Sequence, residues 1–351
     1  MTTKYALRRL GFVSAAVVAI ATTPALARDL TIVGWGGATQ DAQREAYFKP
    51  FAEKEGTKVL EDSWDGGYGV LQSKVSAGTP NWDLVQVEAE ELVLGCADGI
   101  YEKLDWEQIG PKEDFLDESV SDCGVGALTS STGLAYDSVK WPDGPKSWAD
   151  FWDLKKYPGK RALRKGPKYT IEFALLADGV KREDLYEVMS TPEGIDRAFK
   201  KLEELGPNLI WWEAGAQPIQ LLASGEVAMT ASYNGRIANV NKKEGKKFVF
   251  VWPGNVTATD SWVILKGSEN KAAAMKAIAF MSQPEPEVKM AELITYGLPS
   301  KKAAAMVPAE ISKDLPTDPK NLAEAVPLNI EFWIDNNESL TKRFNAWLAA
   351  R

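Results

Sequence analysis

The run Trp82 to Val87, WDLVQV, constrains the fold more than any other stretch. A segment this short and this nearly continuous in apolar residues reads as a strand buried on both faces, the habit of parallel sheets covered by helices on each side. Neighbouring segments repeat the theme. Asp29 to Gly34 and Lys58 to Trp64 read as strands; each meets a glycine pair, Gly36-Gly37 or Gly66-Gly67, and then a helical pattern, Ala38 to Glu55 or Tyr68 to Ala77. Alternation this regular predicts α/β layers.

Further along, Glu90 to Ala97 reads as a helix. The small, apolar Cys123 to Thr129, the polar Ser130 to Thr132 and a strand resuming at Gly133 to Tyr136 predict a first crossing between two halves. Lys160 to Lys165 reads as a strand and Tyr169 to Ala177 as a helix. Thr191 caps another helix with Pro192 in its first turn. Leu209 to Trp212 and Val227 to Tyr233 read as strands on either side of a short helix at Gln217 to Ala223. Asn234-Gly235 then suggests a tight backbone before Arg236 at a helix start. A strand at Phe248 to Trp252, a loop carrying Asp260 and an apolar run from Trp262 to Leu265 follow. Helices at Lys271 to Met281 and Glu287 to Thr295, a turn at Tyr296 to Pro299 and an amphipathic helix at Ser339 to Ala350 complete the chain. With no repeat, low-complexity tract or long linker, two lobes sharing several crossings are expected: 28–131 plus 259–309, and 132–258 plus 310–351.

Length and composition fit that division: 351 residues, 45% of them hydrophobic, can fill two cores. Residues 1–27 are expected to be a cleaved leader. Lys4, Arg8 and Arg9 form a positive start, Leu10 to Ala21 an apolar run too short for an ordinary membrane span, and Ala25-Leu26-Ala27 a small-x-small signal before Arg28. Loss of those three cations takes the formal charge from −8 to −11. So acidic a chain repels phosphate backbones and anionic lipid heads, which argues against nucleic-acid and membrane binding. Cys96 and Cys123, both in the exported part, are expected to form a disulfide, the alternative being two buried thiols. With no histidine in the chain, the commonest general base and metal ligand and every histidine-dependent triad are absent.

Candidate ligand-binding residues cluster at strand mouths. Arg236 could direct its guanidinium, with the free N–H groups of a first helical turn, at a carboxylate; the alternative is a solvated surface arginine. Asp260 could pair with an ammonium or simply hold a turn. Glu88, closing the buried strand, is a second cation partner or a helix cap. Trp35, Tyr233, Trp262 and Tyr296 each stand beside a glycine or a charge and could wall a cleft by cation–π contact, although most of the 13 tryptophans must be core. Gly36 would let the backbone approach a ligand. Nucleophile elbow, phosphate loop, dinucleotide fingerprint and metal-ligand spacing are all missing, so no catalytic, cofactor or metal site is expected, a secreted hydrolase being a remote alternative.

A leader, a strand ending in VGWGG, the run WDLVQVEAEEL, PGKRALRKGP, WWEAGAQPIQLLASGEVAMTASYNGR, and DSWVILKG followed by an alanine-rich helix and SQPEPEVKMAELITYGLPSKKA together resemble the periplasmic substrate-binding proteins of ABC importers. Within them the chain is most similar to the branch of spermidine/putrescine binders and their 4-aminobutyrate-binding relatives. The resemblance spans essentially the whole chain after the leader. It implies a two-lobed periplasmic binding protein fold of type II kind, a ligand cleft between lobes and hinge crossings that close on the ligand. It also implies a non-enzymatic periplasmic monomer that hands a small amine or amino acid to the membrane permease subunits of an importer.

By the same resemblance Asp260 falls on the family's amine-binding aspartate, Trp35 on the aromatic of the first strand's loop, Glu88 on a ligand-contacting polar position and Tyr233 on an aromatic of the second lobe's rim. Two departures stand out. Diamine binders tend to have an acid near the place of Arg236, and an aromatic where this chain has Ala258. A charge pair at 4 Å is worth roughly 4 kcal/mol at an effective dielectric near 20, so a cation facing a dication would cost orders of magnitude in affinity. The expected ligand is therefore a 4-aminobutyrate-like ω-amino acid, with a polyamine as the alternative.

Overall fold

The computed structural model describes Met1 and residues 28–351; the expected leader and its cleavage signal fall outside the described residues. One nine-stranded sheet runs through the molecule. Its strands are β1 (Leu30–Gly34), β2 (Val59–Ser63), β3 (Leu84–Val87), β4 (Gly124–Asp137), β5 (Lys160–Arg164), β6 (Leu209–Trp212), β7 (Val227–Tyr233), β8 (Phe248–Ile264) and β9 (Ala325–Pro327). Their order is β2-β1-β3-β8-β4-β7-β5-β6, with β9 beside β8. As the apolar run requires, every residue of β3 is buried, and β1 pairs in parallel with both β2 and β3. At the far end β5 lies parallel to β6 and β7.

Two long antiparallel strands join these parallel ends. β4 and β8 pair from Gly124 opposite Val263 to Asp137 opposite Phe248, with irregularities at Gly126/Leu128 and Thr132/Leu134. Each strand thus begins in one lobe and finishes in the other. The expected loop around Asp260 does not exist, and neither does the break at Ser130 to Thr132. Both segments are polar yet lie inside the sheet: the side chains of Thr129 and Thr259 hydrogen-bond at 2.9 Å, whereas the hydroxyls of Ser131, Thr132 and Ser261 are buried without a partner among the described residues.

Each half has its own core. Trp148, Phe151, Phe173, Trp212, Trp333 and Phe344 belong to one buried cluster. Leu30, Phe48, Leu84, Trp262, Ile278 and Met290 belong to another, and Val33, Leu71, Trp82, Val85 and Val263 fill a third. Cys96, near the end of the helix Ala89–Ala97, is disulfide-bonded to Cys123 just before β4, with their Cα atoms 6.0 Å apart.

Three helical expectations shift. The stretch read as one helix from Ala38 to Glu55 is α-helical over Gly37–Gln43 and Lys49–Glu55, with a wider π turn at Arg44–Phe48 between. Pro50 has no N–H to give the carbonyl one turn back, and the wider turn accommodates that loss. Asn234-Gly235 is no turn; the helix Asn234–Glu244 starts directly on the end of β7. The C-terminal helix is longer than its amphipathic tail suggests, spanning Ile330–Ala349.

Candidate ligand-binding site between the lobes

The strands of both halves deliver their ends to one enclosed space. β1 hands over to Trp35, and Gly36 and Gly37 follow with φ of 61° and 55°, a left-handed pair that turns the chain sharply into the next helix. β2 hands over to Trp64, whose ring stacks on Trp35 with centroids 5.2 Å apart and planes 10° apart. The Trp64 indole N–H is held in turn by the carbonyl of Gln86 at 3.0 Å.

Asp260 sits within β8, 8% exposed. Its Oδ2 accepts from Trp35 Nε1 at 2.7 Å and from Gln86 Nε2 at 2.9 Å, and Gln86 is itself oriented by Gln43 Nε2 at 2.7 Å. Both donors fall on one oxygen, and among the described residues none reaches Oδ1. Burial, and then the nearby charge of Glu88, push the Asp260 carboxyl up to about 7, against the two hydrogen bonds that favour its ionised form.

From the other half, β7 ends at Tyr233 and places Arg236 in the first turn of the following helix, 4% exposed. Its Nη2 donates across the gap to the carbonyls of Trp35 (3.1 Å) and Gly36 (3.2 Å). Its Nε is buried without an acceptor. A Cβ on Gly37 would lie 2.9 Å from Nη1 and one on Gly215 3.2 Å from Nε, so two glycines, one from each half, make the slot for the guanidinium.

A second set of charges closes the same gap. Glu88 caps the helix Ala89–Ala97 in a reciprocal capping box with Glu91. Its Oε1 also accepts from Arg164 Nη1 at 2.8 Å, at the end of β5, and its Oε2 from Lys168, which also pairs with Glu90. Burial alone would raise the Glu88 carboxyl, but these two cations hold it at about 2. Glu91 lies behind, pushed up to about 8 by burial and by the charges of Glu88 and Glu90. Tyr169, at the same rim, has φ 66°, the one positive value outside glycine among the described residues, the kind of backbone strain that concentrates at functional sites.

Trp35, Glu88, Tyr233, Arg236, Asp260 and Tyr296, six of the eight expected residues, line the resulting cavity. Gly36 contributes its carbonyl to Arg236 instead. Trp262 corrects the expectation: it is 2% exposed and packs edge-on against Phe48 at 6.3 Å. It lies one residue pair deeper along β8 than Asp260, where the turn Arg44–Phe48 covers the sheet and leaves no space. Sequence reasoning missed Trp64, Ser130, Arg164, Tyr169 and Gly215 in the lining, along with Lys168 and Gln86 behind it. For Arg164 a signal existed: it ends a readable strand, as Glu88 does. The cavity leaves about 50 Å³ for water centres, which at about 10–15 Å³ each is room for a few waters or one small solute.

Two α/β halves on a shared pair of long strands, closed over a small charged cavity, define a two-lobed solute-binding protein. The chain belongs to the family described as bacterial extracellular solute-binding proteins, whose model matches residues 46–322. It is 48% identical over 329 residues to the gamma-aminobutyric acid-binding protein of Pseudomonas aeruginosa, covering 94% of this chain and 93% of that one. It is 24% identical to the spermidine/putrescine-binding periplasmic protein of Escherichia coli, over 82% of this chain and 87% of that one. Among solved structures it is similar to a GABA receptor (36% identity, TM-score 0.78, 91% of this chain and 97% of that one). It is also similar to the periplasmic binding protein MotA of A. tumefaciens in complex with glucopine (32%, TM-score 0.84, 91% and 99%). The resemblance read from the sequence motifs is borne out.

No helix among the described residues is long and apolar enough to cross a membrane.

Proposed function

We propose that this protein captures a 4-aminobutyrate-like ω-amino acid in the periplasm and delivers it to the permease of an ABC importer. It would act as a monomer without chemistry of its own, after loss of the leader before Arg28. The observation that carries the ligand is the opposite polarity of one small cavity: a buried carboxylate with one oxygen unclaimed at Asp260, and a buried guanidinium with Nε unclaimed at Arg236. Ammonium at the first and carboxylate at the second would satisfy both. The nearer relative's printed ligand, gamma-aminobutyric acid, agrees, and the polyamine-binding relatives are half as similar. In this reading the lobes meet near 131/132 on β4 and 258/259 on β8, and solute entry requires the contacts of Arg236, Arg164 and Lys168 across the gap to open.

A polyamine is the second reading, favoured by the further acids Asp65 and Glu213 in the lining. Two of the lining acids already have cations, however: Glu88 has Arg164 and Lys168, and Glu213 has Lys165 at 2.9 Å. Calorimetric titration with 4-aminobutyrate and with putrescine separates the two. The proposal expects binding of the amino acid, its loss in Arg236→Ala, and no such loss for a diamine. Micromolar putrescine binding with none for 4-aminobutyrate would reverse the assignment.

A further inference from the structure

Trp35 touches both charged ends of the cavity with its own two polar groups. Its indole Nε1 donates to Asp260 Oδ2 at 2.7 Å, and its carbonyl oxygen accepts from Arg236 Nη2 at 3.1 Å. A zwitterionic solute bound as above would offer the same pair, a nitrogen donor and an oxygen acceptor, to the same two side chains. By bond geometry the indole nitrogen and the carbonyl oxygen of one tryptophan stand roughly 5–7 Å apart. An extended amino acid with three methylenes spans about that distance from nitrogen to carboxylate oxygen, whereas an α-amino acid spans roughly 3 Å.

We propose that Trp35 is a length gauge: by bonding Asp260 and Arg236 at once it fixes their separation in the closed protein and so selects ω-amino acids of about three or four methylenes. This rests on the zwitterion reading of the site. A solute that is too short leaves one buried charge without a partner, which is costly. One that is too long holds the lobes apart and keeps Arg236 off the Trp35 carbonyl.

The gauge is stiff because its surroundings fix it on every side. The Trp35 ring stacks on Trp64, whose N–H is tied to Gln86 and whose edge meets Trp82 at 5.9 Å. The Trp82 indole donates in turn to Asp62 Oδ2 at 2.7 Å. Gln86 puts a second donor on the same oxygen of Asp260, so the carboxylate cannot swing its free oxygen away from the cavity without losing a bond. At the other end, the left-handed pair Gly36 and Gly37 brings two consecutive carbonyls to one guanidinium.

Titration of the purified protein with glycine, β-alanine, 4-aminobutyrate, 5-aminovalerate and 6-aminohexanoate tests the inference. The tightest ligand should be the four- or five-carbon acid, with each missing methylene costing about tenfold or more and glycine at least about 100-fold weaker. Trp35→Phe keeps the ring and the backbone carbonyl but removes the indole donor. It should still bind the best ligand, with the spread across the series narrowed to within about tenfold. Glycine or β-alanine binding within tenfold of the best ligand, or a wild-type spread in Trp35→Phe, overturns the gauge. The wild-type series decides alone if that variant does not fold. Loss of every ω-amino acid with putrescine retained would overturn the zwitterion reading and the gauge together, whereas tight 4-aminobutyrate binding in a flat series would overturn the gauge only.

Discussion

Glu88 of one lobe and Arg164 of the other meet at 2.8 Å across the cavity mouth, with side-chain exposures of 14% and 17%. Together with Lys168 they would latch the closed form in the proposed capture of solute. Arg164→Met would leave Glu88 with Lys168 alone and should weaken closure by about 1–3 kcal/mol, less than for a fully buried pair because some water reaches it. Ligand affinity should fall about ten- to a hundredfold. Calorimetry reads the affinity, and small-angle scattering should show a wider ligand-free ensemble.

Affinity should depend on pH through Asp260. The folded carboxyl, raised to about 7 by burial and by Glu88, keeps its proton where an ordinary one has lost it, yet an ammonium ligand needs it ionised. Binding should therefore strengthen by about tenfold per pH unit from pH 5 to 7, then level off. A proton is released on binding below pH 7, visible as a dependence of the titration enthalpy on the buffer's ionisation heat. For the ligand-free protein the sign is opposite. A raised carboxyl contributes stability that is present below its unfolded value and lost as pH rises through 7. Asp260→Asn should flatten both dependences.

Gly37→Ala should damage closure specifically. The position combines φ 55° with a Cβ site 2.9 Å from Arg236 Nη1. The left-handed backbone alone costs an alanine about 1–2 kcal/mol, and the contact exists only when the lobes are shut. A thermal transition lowered only by the few degrees that this backbone cost explains, with a larger loss of binding, is the expected pattern; equal losses in both would place the effect in folding instead.

Reduction of the Cys96–Cys123 bond should destabilise the lobe that holds it. The bond closes a loop of 27 residues, worth about 3.5 kcal/mol on the chain-entropy model. Cys96→Ser with Cys123→Ser should unfold at lower urea concentration with little change in ligand affinity, since neither cysteine lines the cavity.

Short strands were legible in the sequence because apolar residues bounded by glycine have few other uses. β1, β2 and β3 were read within a residue or two of their observed ends. β4 and β8 were not read as continuous, because their middles carry Ser130, Ser131, Thr132, Asn255, Thr257 and Thr259, which resemble a loop until a partner strand absorbs them. In the site, Asp260 and Arg236 stood out as charges next to apolar runs, and both are buried. Arg164 and Lys168 did not stand out, since a basic residue looks solvated until its acid, here 76 and 80 positions away, is folded against it. Trp262 failed for a reason sequence spacing does not carry: it shares a face with Asp260, but depth along a strand separates a cavity wall from a core.

β4 and β8 share a ladder that runs from one half of the molecule to the other, interrupted only at Gly126/Leu128 and at Thr132/Leu134, where β8 steps from Val256 to Val251. In the proposed opening the lobes would move by twisting of this shared pair of strands, spread over many small dihedral changes, with the ladder at Ser130 to Thr132 left paired to Ala258, Thr257 and Val256. Deuterium uptake at Ser130, Ser131 and Thr132 should accordingly stay as slow in the empty protein as in the loaded one, while the first turn around Arg236 quickens when the solute leaves.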